Sequence, residues 1–116
     1  MAAVFDIVEL TRALIKCPSV TPADAGALDV LQRVLEGLDF ICYRLPFGLD
    51  GPEKVDNLYA RLVTRSPKFC YAGQTDVVPT GHVKDWSHAP FEASVEDALI
   101  YGRGAVDMKG AIAAFL

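Results

Sequence analysis

Two stretches in the last third of the chain constrain what it can fold into. Phe69-Cys70-Tyr71-Ala72 runs straight into Gly73-Gln74-Thr75-Asp76-Val77-Val78-Pro79, and Tyr101-Gly102-Arg103-Gly104-Ala105-Val106-Asp107-Met108-Lys109-Gly110 leads into an apolar helical run. A short, continuously apolar strand is the kind that is buried on both faces of a parallel sheet, with helices above and below. In open α/β sheets, ligand sites gather at the carboxyl ends of such strands. The expectation is an α/β domain whose polar residues after the strand Phe69–Gly73 face a crevice.

The rest of the chain fits that layering. Val4, Ile7, Val8, Thr11, Leu14 and Ile15 recur at helical spacing, with Asp6 as the cap and Pro18 as the stop. Thr21-Pro22-Ala23-Asp24 reads as the start of a second helix, with a hydroxyl cap, Pro in the first position and a carboxylate in the third. Leu28, Leu31, Leu35 and Leu38 form its stripe, and Gly37 weakens its end. Phe40 to Leu45 predicts a strand, Phe47 to Pro52 a turn, and Leu58 to Val63 a strand with Leu58, Ala60 and Leu62 on one face. Residues 80–92 form a polar loop, Ala98 to Tyr101 a short strand, and Met108 onward a helix. The architecture expected is helices packed on a mixed sheet.

At 116 residues there is room for one small domain, and 52% apolar content with mean hydropathy +0.26 is high for that size. The final run Ala111-Ile112-Ala113-Ala114-Phe115-Leu116 has no Gly cap and no basic last turn, so the chain is expected to stop inside an element. A net charge of −4 with scattered Lys and Arg argues against nucleic acid and against an anionic membrane surface, while leaving a small-molecule substrate open. No apolar run is long enough to span a bilayer. Met1 to Asp6 has no basic leader, and Cys17, Cys42 and Cys70 make neither a disulfide framework nor a zinc knuckle. Cys70 is expected to be a buried thiol, and the compartment a reducing cytoplasm.

Taken singly, the acidic residues have two readings each. Asp76 either forms an Asx-type turn ahead of Pro79 or points into the crevice. Asp107 either caps the following helix or is a carboxylate metal ligand. Gly102-Arg103-Gly104 is no nucleotide fingerprint, because Asp107 stands where a third Gly is required. His82 and His88 are the only histidines, either solvated loop residues or substitute ligands; Cys42 and Cys70 are weaker ligand candidates.

Together, Thr75-Asp76-Val77-Val78-Pro79, the link Trp86-Ser87-His88-Ala89-Pro90-Phe91 and Tyr101-Gly102-Arg103-Gly104 with Asp107-Met108-Lys109-Gly110 resemble the succinyl-diaminopimelate desuccinylases. These belong to a larger family of zinc-dependent aminoacylases, deacetylases and exopeptidases. The resemblance covers nearly the whole chain, Asn57 to Leu62 included, and is strongest from Phe69 to Leu116. It implies that residues 1–116 are part of a catalytic domain whose lid and dimerisation domain lies outside them.

The resemblance also implies a cofactor: two Zn²⁺ per site, with Co²⁺ as an alternative. Asp107 matches the carboxylate bridging the metals, and Asp76 the carboxylate that orients a His ligand. Position 74, where that His stands in the family, is Gln74. The Asp107–Met108 peptide is implied to be cis. The family's Glu-Glu pair, a further acidic ligand and a distal His have no counterpart in these residues. The reaction implied is hydrolysis of the amide of N-succinyl-L,L-diaminopimelate, with zinc activating water and a Glu moving the proton. Lacking that Glu and carrying Gln74, the chain is expected to be inactive alone. The alternatives are a non-catalytic fragment or pseudoenzyme serving as an interaction module, and a related deacylase such as acetylornithine deacetylase.

Overall fold

The computed structural model describes residues 5–48 and 50–116. Val4 of the first stripe and Leu49 of the first turn lie outside the described residues. Helix α1, Ile7–Ile15, starts as expected: the Asp6 carboxylate accepts the Glu9 N–H at 3.0 Å. Its core face is Leu10, Thr11, Leu14 and Ile15, whereas Ile7 and Val8 point to solvent.

Helix α2, Ala27–Gly37, begins later than the Thr21 cap predicts. Thr21 lies in a turn instead, its N–H donating to the Val77 carbonyl just after Val20 bridges Val77 in parallel. The chain then turns, and the Asp24 carboxylate accepts from the Gly26 and Leu28 N–H groups. A side chain expected three residues inside the helix is therefore its N-terminal acceptor. Leu28, Leu31 and Leu35 are buried, and Leu38 is half-buried beyond the helix end.

Strands β1, Ile41–Arg44, and β2, Leu58–Arg61, pair antiparallel with Cys42 opposite Ala60 and Tyr43 opposite Tyr59. Cys42, Leu58 and Ala60 pack on the core, and the two tyrosine rings meet on the outer face, 6.1 Å apart. Arg44 ties this hairpin to α2 through Asp29 and Gln32, and to Asp56 at 2.6 Å. The pairing stops at Arg61, so Leu62 and Val63 are exposed rather than continuing the strand.

Phe69 to Gly73 is not a ladder strand among the described residues. A central strand needs a neighbour on each side, and none of the described strands pairs with this segment. Phe69 is consequently 84% exposed, and Cys70 is exposed rather than the buried thiol its apolar neighbours suggest. Only Tyr71 is partly covered, stacked on Phe115 at 4.2 Å.

Strand β3, Ser94–Glu96, is not among the elements the sequence predicts, and its partner β4 runs Leu99–Tyr101. Asp97 and Ala98 form the two-residue turn between them with φ of 51° and 62°. Such turns need two left-handed residues, and Asn-Gly is their usual signature. Asp-Ala gives no such signal, which hides the hairpin and places Ala98 in the strand. Helix α3, Gly110–Phe115, packs Ile112 and Ala113 against Leu10, Leu14 and the α2 leucines to close the core. The class is α/β as expected: three helices, two antiparallel strand pairs and one parallel bridge among the described residues.

Candidate functional site

The loops after the two key stretches meet in one concavity of about 310 Å³, lined by Gln74, Asp76, Arg103, Gly104 and Asp107 among others. Residues 76 and 107, far apart in sequence, thus share one wall-to-wall space, as does Gln74. The Gln74 N–H donates to the Met108 sulfur at 3.4 Å, which sets position 74 beside the Asp107–Met108 peptide. That peptide is cis, matching the expectation. Asp107 does not cap α3. It lies in extended backbone (φ −122°, ψ 94°) three residues before Gly110, and the cap position falls to Lys109.

Close backbone approach makes the concavity. Gly104 has φ 85°, and a Cβ there would stand 2.5 Å from Val77 Cγ1. A Cβ on Gly102 would stand 2.4 Å from Ile15 Cγ2, so this turn rests directly on α1. Arg103 lays its guanidinium over the Trp86 ring, 4.9 Å from the centroid, and its backbone N–H donates to the Pro90 carbonyl at 2.7 Å.

Sequence reasoning missed two residues beneath the cavity. Ser19, fully buried, donates its hydroxyl to the Thr75 carbonyl at 2.7 Å. Lys109, also fully buried, donates Nζ to the Cys17 carbonyl at 2.9 Å. That carbonyl follows the carboxyl end of α1, where a cation is favoured. Burial pushes the Lys109 ammonium below its usual range, against the pull of Cys17 and Asp24. Burial likewise pushes the Cys17 thiol up, opposed by Lys109. The available signal was a lysine set just ahead of the apolar run Ala111–Phe115.

The residues present do not make up a zinc site. Among the described residues no three His, Cys, Asp or Glu side chains group closely enough to hold a metal ion. A zinc site needs three or four such donors. The amide of Gln74 adds an oxygen donor better suited to hard cations. Neither histidine lines the concavity. His82 is exposed, and His88 sets Nε2 2.6 Å from Glu96 while its ring stacks on Tyr101 at 4.0 Å. That pairing holds the β3–β4 hairpin and gives His88 a structural partner.

Comparison with known proteins shows what this chain is similar to. Residues 70–116, which hold both loops and α3, match the model of peptidase family M20/M25/M40. Over these residues the chain is similar to members of that family. Its relatives include the succinyl-diaminopimelate desuccinylases of Rhodospirillum centenum, 60% identical over 96% of this chain, and of Caulobacter vibrioides, 58% identical over 96%. That of Phenylobacterium zucineum is 56% identical over 99%. The chain spans 29%, 28% and 29% of the lengths of these three proteins.

Proposed function

We propose that the chain is the N-terminal part of an amide hydrolase of the succinyl-diaminopimelate desuccinylase type, and that its own residues do not complete the active site. The substrate in this reading is N-succinyl-L,L-diaminopimelate, and the products are succinate and L,L-diaminopimelate. The observation that carries it is the meeting of Asp76 and Asp107 in one concavity, in a chain 60% identical to a protein of that name. In this reading Asp107 is the carboxylate ligand, Asp76 orients the side chain at position 74, and Gln74 stands where an imidazole is needed. Residues 1–116 are part of the catalytic domain; the base, the remaining ligands and the lid with its dimer contacts belong to further length. Three free thiols suit a reducing cytoplasm.

A second reading, a non-catalytic relative, is favoured by Gln74 and by the incomplete donor set. The two separate on one assay. Hydrolysis of N-succinyl-L,L-diaminopimelate is measured with and without chelator for the chain alone, and for the chain joined to the remaining length of the Rhodospirillum centenum relative. The expected result is no turnover alone and turnover when joined. Gln74→His is expected to raise the joined rate at least roughly tenfold, since even groups that only orient a ligand are worth that much. A joined protein silent with either residue at 74 would establish the non-catalytic reading.

A further inference from the structure

We propose that Lys109 and Ser19 are positioning residues that set the spacing of the two acidic loops by gripping one shared segment, Cys17–Ser19. The proposal rests on the reading that the concavity at Gln74, Asp76 and Asp107 is the functional site. Segment 17–19 sits beneath both loops. On one side Ser19 donates its hydroxyl to the Thr75 carbonyl at 2.7 Å, and its own carbonyl accepts the Val77 N–H at 2.9 Å. Asp76 is therefore clamped from the residue before it and the residue after it. On the other side the Lys109 ammonium donates to the Cys17 carbonyl at 2.9 Å, while the Lys109 N–H donates to the Gly104 carbonyl at 2.9 Å. This second pair closes the turn that carries Asp107.

The chemistry of the tie explains why a charged side chain is fully buried here. A leucine or methionine in place of Lys109 fills the same volume without holding the Cys17 carbonyl. The ammonium instead reaches across 92 residues of sequence to a carbonyl near the carboxyl end of α1. The lysine stem also passes Gly104, whose missing Cβ would lie 3.3 Å from Lys109 Cδ and 2.5 Å from Val77 Cγ1. The Asp107 turn is thereby pressed directly onto the Val77 side chain of the Asp76 loop. The two carboxylates are placed by a common anchor rather than by direct contact.

The test is amide hydrogen exchange by NMR on the whole chain, for the wild type, Lys109→Met, Ser19→Ala and the double variant. Shared anchoring predicts effects that cross between loops. Lys109→Met is expected to quicken exchange at Val77 roughly tenfold, and Ser19→Ala to quicken it at Lys109 by a similar factor, as loss of one buried hydrogen bond allows. Core amides such as Leu14 and Leu31 stay at wild-type rates, and the double variant adds little. Acceleration confined to each variant's own loop would overturn the proposal. So would uniform acceleration across the core, which marks a general loss of stability. Neither outcome bears on whether the joined protein hydrolyses the succinyl amide, so this inference and the functional reading fail separately.

Discussion

Gly104 shows how one residue decides the distance between two loops. Its φ is 85°, and a Cβ added there would meet Val77 Cγ1 at 2.5 Å, which leaves no room for a side chain. Gly104→Ala is expected to cost about 1–3 kcal/mol, from left-handed strain and overpacking together. Gly81 supplies the comparison: its φ is 70°, yet nothing lies within 4 Å of its Cβ position. Gly81→Ala carries the strain without the clash and is expected to lose less. Urea midpoints of the two variants check this, and an equal loss at both positions would remove the packing argument for Gly104. The same close-range logic governs Cys70, whose apolar neighbours suggest burial but which has no strand partner among the described residues to cover it.

Among the elements, the contrast lies between the β1–β2 hairpin and residues 62–73. The hairpin has a ladder, a tyrosine pair and the Arg44 tie to α2. The following stretch has exposed Arg65 and Lys68 and no ladder among the described residues. Backbone held by few contacts opens locally and is cut first. Limited trypsin digestion is expected to cleave after Arg65 or Lys68 before Arg44 or Arg61. Mass spectrometry of the first fragments reads the order, and early cuts inside the hairpin would show that the ladder is the weaker element.

The whole molecule is less compact than its length allows. Its radius of gyration is 15.1 Å, and its extents are 49 × 40 × 20 Å, against about 13 Å expected for a packed domain of this length. A groove of about 690 Å³ runs between β2, residues 68–76 and the end of α3, with Leu28, Leu31 and Ile112 among its lining residues. Val63 and Phe69 stand exposed beside it. Apolar surface on this scale makes a protein associate. The chain is expected to bind an apolar dye such as ANS and to elute at larger size as its concentration rises. Phe69→Ser should weaken both effects, and unchanged dye binding and elution would show that the stickiness lies elsewhere.

Features that depend on nearest neighbours were legible before any fold was known. Asp6 capping α1, Pro18 ending it, the leucine stripe of α2 and the β1–β2 segments all follow from local chemistry and period. The motif spacing likewise pointed to the desuccinylases to which the chain is similar. Where α2 begins is a matter of long-range contact, because Thr21 is bonded to Val77, 56 residues away. So is the lack of a ladder partner for the apolar run Phe69–Ala72 among the described residues, since a strand exists only through its neighbours. The site divides in the same way: Asp76, Asp107 and Gln74 stand out as motif positions, whereas Ser19 and Lys109 do not. A hydroxyl or an ammonium acquires its role from the carbonyl it reaches, and no local pattern in the sequence records a bond closed across the fold.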